Sequence, residues 1–123
     1  METALHIETR FATDDARGPF IEIMEKDGLP EHVALKWFDY HGRQVEVLFR
    51  DVIALKWQMA ASLLDGERDD CCYEILDSKW IALHLEQESI PSSHSYKHYR
   101  FNFAGGCDQQ FECLAEGYEV IKT

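Results

Sequence analysis

Between residues 34 and 57, three strand-like segments follow one another with nothing long enough between them to be a helix. Residues 34–40 read Ala-Leu-Lys-Trp-Phe-Asp-Tyr, residues 43–49 read Arg-Gln-Val-Glu-Val-Leu-Phe, and residues 52–57 read Val-Ile-Ala-Leu-Lys-Trp. Val45, Val47 and Phe49 alternate with other residues, which in a pleated strand puts all three on one face. The first junction is His41-Gly42, with glycine where a tight hairpin needs positive φ, and the second is only Arg50-Asp51. A parallel pair would need a crossover of roughly a dozen residues or more, so the spacing demands antiparallel pairing. A three-strand meander is the simplest arrangement that satisfies it. Trp37, Phe38 and Tyr40 fall nearly in succession, so a strand must send them to both faces. Packing beneath a helix is the expected fate of these rings, and exposure as interface anchors is the alternative.

The flanking segments extend the pattern. Residues 4–9 read as a weak strand and residues 13–18 as a loop. Residues 19–26 suit either a strand, through Phe20, Ile21 and Ile23, or a short helix opened by Pro19. Asp27-Gly28 followed by Pro30 signals a turn. Residues 58–64 suit a helical turn, residues 65–70 an exposed loop, and residues 71–76 a short strand.

Asp77 or Ser78 can then cap a helix, since a short side-chain oxygen accepts a free first-turn amide. Within that helix Trp80 and His84, and Ile81 and Leu85, are four apart and share a face. Pro91 lies in the loop that follows. Residues 96–103 form a strand with Tyr99, Phe101 and Phe103 on one face. Gly105-Gly106 turns, and residues 109–115 pair back with Phe111 and Cys113 on one face. After Glu116-Gly117, residues 118–121 make a last strand. Consecutive hairpins with one late helix indicate an α+β fold. The expectation is a mainly antiparallel sheet of meanders and hairpins with one principal helix packed on it, in a single domain spanning residues 1–123.

A chain of 123 residues with 46% apolar residues can bury one core unaided. Its net charge of −11 repels nucleic-acid phosphates and anionic membrane surfaces, and favours encounter with a basic macromolecule. Neither a transmembrane-length apolar run nor a basic-then-apolar leader is visible in the sequence, so a cytoplasmic protein is expected. In that compartment Cys71, Cys72, Cys107 and Cys113 are expected as reduced thiols, Cys113 as a small core residue.

The chain carries no phosphate-binding loop, dinucleotide turn, zinc-protease helix or nucleophile elbow. No catalytic residue, cofactor or metal is therefore expected. His94 and His98 are four apart, with Cys107 and Asp108 downstream. That set is a conceivable metal site or small active site, whereas exposed loop and edge histidines account for the same spacing. One local feature rises above the composition. Asp65, Glu67, Asp69, Asp70, Glu74 and Asp77 crowd into thirteen residues with Arg68 as the one base, a local net of −5 (six acids, one base). Crowded carboxylates repel in the free protein, and a partner bringing Lys or Arg relieves that repulsion. These six are the candidate partner-binding residues, and a solvated loop is the plain alternative.

The segments FDYHGRQVEVLFRDVIALKW (38–57), YEILDSKWIALHLEQE (73–88), KHYRFNF (97–103) and FECLAEGYEVI (111–121) resemble those of small bacterial immunity proteins, including immunity proteins of contact-dependent growth inhibition systems. The resemblance covers about two-thirds of the chain and is one of core pattern, so it carries no site residues across. It implies a non-enzymatic protein that binds and neutralises a toxin domain, such as a basic nuclease, through an acidic surface. Two alternatives stand beside it: a general adaptor or homo-oligomeric subunit, and a small metal-binding protein or enzyme using His94, His98 and Cys107.

Overall fold

A computed structural model describes residues 2–7, 12–13, 16–26, 29–59, 63–68, 70–87, 95–104 and 109–122. Its elements, in chain order, are β1 (Thr3–His6), β2 (Arg17–Lys26), β3 (Leu29–Phe38), β4 (Gln44–Arg50), β5 (Ala54–Gln58), β6 (Cys72–Leu76), helix α1 (Lys79–Glu86), β7 (Lys97–Phe103), β8 (Gln109–Ala115) and β9 (Gly117–Lys122). The fold is α+β, dominated by antiparallel sheet with one short helix.

The strands divide between two sheets, ordered β1-β6-β7-β8-β5 and β2-β3-β4-β9. The β3–β4 hairpin forms as the spacing predicts, with Trp37 opposite Val45 and Leu35 opposite Val47. The ambiguous segment 19–26 is strand, paired along β3 from Phe20–Lys36 to Met24–His32. A register shift between Arg17 and Phe20 accompanies Gly18 at φ 58, a backbone state that glycine adopts without strain.

Asp27-Gly28, read as a turn, lies outside the described residues, between Lys26 and Leu29, which face each other across the antiparallel β2–β3 pair; the Pro30 that follows lies inside β3, opposite Glu25, where a second register shift falls between Met24 and Glu25. One expectation for the meander is corrected. The third meander strand, β5, does not pair with β4 but crosses to the other sheet and pairs with β8. The chain turns the corner at Asp51, which sits at φ 52, and Glu116 makes the matching corner between β8 and β9. The two corners are tied together by Glu116 N–H donating to the Arg50 carbonyl (3.0 Å) and Ile53 N–H donating to the Leu114 carbonyl (3.0 Å). β9 thereby takes the place beside β4 that a simple meander would have given to β5.

The inner faces of the two sheets share one core. Val33, Leu35, Trp37, Val45, Val47 and Phe49 come from one sheet, and Cys72, Tyr99, Phe101, Phe103, Phe111 and Cys113 from the other. The Phe49 ring lies 5.3 Å from Phe101, 5.5 Å from Phe111 and 5.7 Å from Tyr99, while Trp37 sits edge-on to Phe103 at 5.0 Å. Such edge and tilted contacts suit the quadrupoles of the rings. Trp37 is thus buried between sheets and not beneath the helix, its Nε1–H donating to the Ala12 carbonyl (2.8 Å); Phe38 and Tyr40 are exposed.

Helix α1 lies outside this core, on the far face of the five-stranded sheet. Ser78 is its N-cap, its Oγ accepting from the Ile81 N–H (3.2 Å). Asp77, the other candidate cap, instead adopts φ 54 just before it. No described helix is long and apolar enough to cross a membrane.

Candidate functional site

Strand alternation puts His98, Arg100 and Asn102 of β7 on the face opposite Tyr99, Phe101 and Phe103, and Gln110, Glu112 and Leu114 of β8 on the face opposite Phe111 and Cys113. In a half-open sheet that polar face would meet water. Here His98, Arg100, Asn102, Gln110 and Glu112 are all buried. Helix α1 covers one end of the face, with Trp80 edge-on to the His98 ring at 5.3 Å. The segment 63–68 covers the other end. Gly66 at φ 82 turns it, and the Arg68 N–H donates to the Tyr73 hydroxyl (2.7 Å) to hold it down.

The buried polar side chains form one chain of contacts. Ser78 Oγ lies 2.7 Å from His98 Nδ1, and His98 Nε2 lies 2.7 Å from Glu112 Oε1. Arg100 Nε donates to the same Glu112 oxygen (2.9 Å), and its Nη1 donates to Glu67 Oε1 (2.5 Å). Asn102 Nδ2 donates to Glu67 Oε2 (2.6 Å) and to the Arg68 carbonyl (2.9 Å), and Gln110 Nε2 donates to Asn102 Oδ1 (2.9 Å). Lys56 brings a second cation near Glu112 Oε2 (3.7 Å) while lying over the Trp80 ring at 4.5 Å.

Burial pushes the Glu112 carboxyl up, but the hydrogen bond from His98 and the adjacent Arg100 charge outweigh it and hold the group at about 2. Glu112 is therefore a carboxylate at neutral pH. A neutral imidazole that donates from Nε2 to this carboxylate presents Nδ1 as an acceptor for the Ser78 hydroxyl. The result is a hydroxyl–imidazole–carboxylate relay. Beside it runs a groove of about 490 Å³ between α1 and the β6–β7 pair, lined by Ile75, Ser78, Ile81, Leu85, Tyr96 and His98 among others.

Among the described residues, the thiols of Cys71, Cys72 and Cys113 take no part. Burial pushes Cys72 and Cys113 well above the ordinary thiol range, and Cys71 is raised by burial and by its contact with Asp70. Cys113 is a core residue, as its strand position implies.

The five described acidic residues of 65–77 do not share one surface. Asp65 and Asp77 are exposed, and Glu74 is half-buried. Asp70 is half-buried and pairs with Arg68 Nη2 (3.0 Å). Glu67 turns inward as the partner of Arg100 and Asn102, with its Oε1 also accepting from the Leu64 N–H (2.9 Å). Asp69 lies outside the described residues, as do His94, Cys107 and Asp108. His98 is no edge histidine; it is buried in the relay. Among the described residues no cluster of three or more His, Cys, Asp or Glu could hold a metal ion.

What the sequence did not reveal is the relay itself. Its signal was present in the polar positions of 98–102 and 110–112, each two residues apart on adjacent strands. Nothing in that alternation says that a helix and a loop would cover them. No protein-family model, curated protein or solved structure matches the chain.

Proposed function

We propose that this chain is a protein-binding protein of the immunity type, which neutralises a toxin domain by docking its helix-bearing side on a basic surface of that domain. The observation that carries the reading is the mixed chemistry of the covering layer. Leu63, Leu83 and Leu85 are exposed there, as is Leu76 at the end of β6, together with the carboxylates of Asp65, Asp77 and Glu86. The exposed bases of the same layer are Arg68, which pairs with Asp70, and Lys79, so acids are in excess. Apolar anchors set among mainly acidic charges suit a protein partner better than a nucleic acid or an anionic membrane, and the net charge of −11 steers basic partners toward it. The docking set thus keeps Asp65 and Asp77 from the acidic segment and gains Glu86, while Glu67 serves the interior. Docking of this kind needs no turnover, cofactor or metal, and it belongs in the cytoplasm, where an immunity protein meets its toxin.

Co-expression with a toxin domain encoded beside the gene tests the reading. Growth should be rescued, and the purified pair should associate at a rate that falls with salt. Reversing Asp65, Asp77 and Glu86 to Lys should slow association on the order of tenfold or more. Absence of rescue and of a complex would remove the immunity reading. Unchanged association of the reversed variant would remove this surface from it.

A second reading, a homo-oligomeric subunit or adaptor, is favoured by the open face of the other sheet, where Phe20, Met24 and Phe38 are 45%, 36% and 43% exposed. Light scattering at several concentrations separates the two, since a docking monomer shows one mass throughout.

A further inference from the structure

We infer that Ser78 is an activated nucleophile: an acyl-accepting serine that takes the acyl group of a small ester held in the groove beside α1. The inference goes beyond the docking reading and does not depend on it.

Three elements converge on Ser78 Oγ. The His98 Nδ1 atom of β7 lies 2.7 Å away as proton acceptor, and Glu112 of β8 lies 2.7 Å from the far nitrogen of the same ring. The Ile81 N–H in the first turn of α1 donates to Oγ at 3.2 Å. A hydroxyl that gives its proton to a base while accepting an amide hydrogen bond has both halves of its ionisation favoured. The carboxylate orients the ring and stabilises the imidazolium that forms when the serine proton moves, the roles shared by serine triads on unrelated folds.

The burial gradient suits the same task. Glu112 is 1% exposed and His98 2%, while Ser78, at 7%, keeps its remaining surface where it lines the groove. Most of the groove's lining is apolar, from Ile75, Leu76, Ile81, Ala82 and Leu85, and its charged residues Glu74, Asp77 and Lys97 include two acids, so an uncharged short acyl chain fits it better than an anionic one. The positive end of the α1 dipole lies beside Oγ, where charge builds up on an attacked carbonyl.

The step balances without a further reactant. The Ser78 Oγ–acyl carbon bond forms as the ester's carbon–alkoxy oxygen bond breaks. The serine proton passes to His98 Nδ1 and from there to the departing alkoxide, leaving a neutral alcohol and an acyl-serine.

The test is covalent labelling of the full chain with an alkyl fluorophosphonate and, separately, with p-nitrophenyl butyrate, read by intact mass and peptide mapping. One adduct is expected, on Ser78. The Ser78→Asn variant retains a side-chain oxygen able to cap α1 and should take no label. His98→Gln should slow labelling on the order of 100-fold, the contribution of a positioned general base. Glu112→Gln provides a second test of the relay if His98→Gln does not fold, with circular dichroism confirming which variants are folded. Folded protein that takes no adduct, or takes one only elsewhere, overturns the inference. So does labelling of Ser78 at an undiminished rate in a folded relay variant.

Discussion

The two sheets present outward faces of opposite character, although both arise from the same alternation of residues. On the four-stranded sheet the outer face is open. Phe20, Met24 and Phe38 stand exposed there, and Lys36 reaches Glu22 (2.7 Å) and Glu46 (3.9 Å) across neighbouring strands. On the five-stranded sheet the outer face is roofed by α1 and the 63–68 segment, and the pairs of Arg100 with Glu67 and Glu112 and of His98 with Glu112 are buried beneath them. A charge pair on an open face competes with water and stabilises little. The same chemistry under a roof must be fully satisfied, because a lone buried charge is far more costly than an exposed one. Cover, rather than residue type, decides whether a polar strand face is decoration or a constraint on the whole fold.

The largest expected effect follows from removing the cation that serves two buried carboxylates. Arg100 bonds both Glu67 and Glu112, so Arg100→Leu leaves both without their principal counter-charge. The loss should be on the order of 3–5 kcal/mol in urea unfolding. A triple replacement that makes Glu67, Arg100 and Glu112 apolar together should recover much of it, as expected where the penalty lies in unpaired charge. If Arg100→Leu unfolds at the wild-type urea midpoint, the roof is not dry and the contrast between faces is lost.

Acid should separate the faces next. The folded Glu112 carboxyl sits at about 2, below its ordinary value of 4.5. A depressed carboxyl contributes stability that is complete above the unfolded value and lost as pH falls through the folded one. Stability should therefore fall between about pH 4.5 and pH 2, by on the order of 3 kcal/mol from this group. Asp39 adds in the same direction. Its burial raises the carboxyl, but hydrogen bonds from Arg43 and the His41 N–H bring it below the ordinary value. Urea midpoints measured across this range should lose part of their slope in Glu112→Gln; an unchanged slope would mean that Glu112 is not held ionised by its neighbours.

Much of this architecture was legible in the chain, and the reason for each success or failure is physical. Periodicity located the β3–β4 hairpin, the aromatic face of β7 and the capped helix, because each depends on neighbours within a few residues. The crossing of β5 to the other sheet was not legible. It depends on β9, some sixty residues later in sequence, occupying the place beside β4. The acidic segment shows the same limit at the level of a site. Glu67 looks like its neighbours in sequence, yet Arg100 and Asn102, more than thirty residues away, draw it inward. Charge counted along a sequence assumes exposure, and long-range pairing decides exposure.

The smallest effects sharpen the comparison at the edges of each face. Ser78→Ala removes the α1 cap and should cost about 1 kcal/mol. It also leaves His98 Nδ1 without the Ser78 hydroxyl, so Ser78→Asn, which preserves a cap, should recover part of the loss. On the open face, Lys36→Ala should leave the urea midpoint where it is, even though the Glu22 hydrogen bond raises the Lys36 ammonium above its ordinary value. That raised value reports a contact at 2.7 Å, not a stabilising one, because ordering two side chains in water offsets most of the attraction. A Lys36→Ala loss as large as that of Ser78→Ala would mean that something covers the four-stranded sheet in solution. The same measurement repeated over a range of protein concentrations would then tell a second copy from an internal segment, since only the former makes the midpoint depend on concentration.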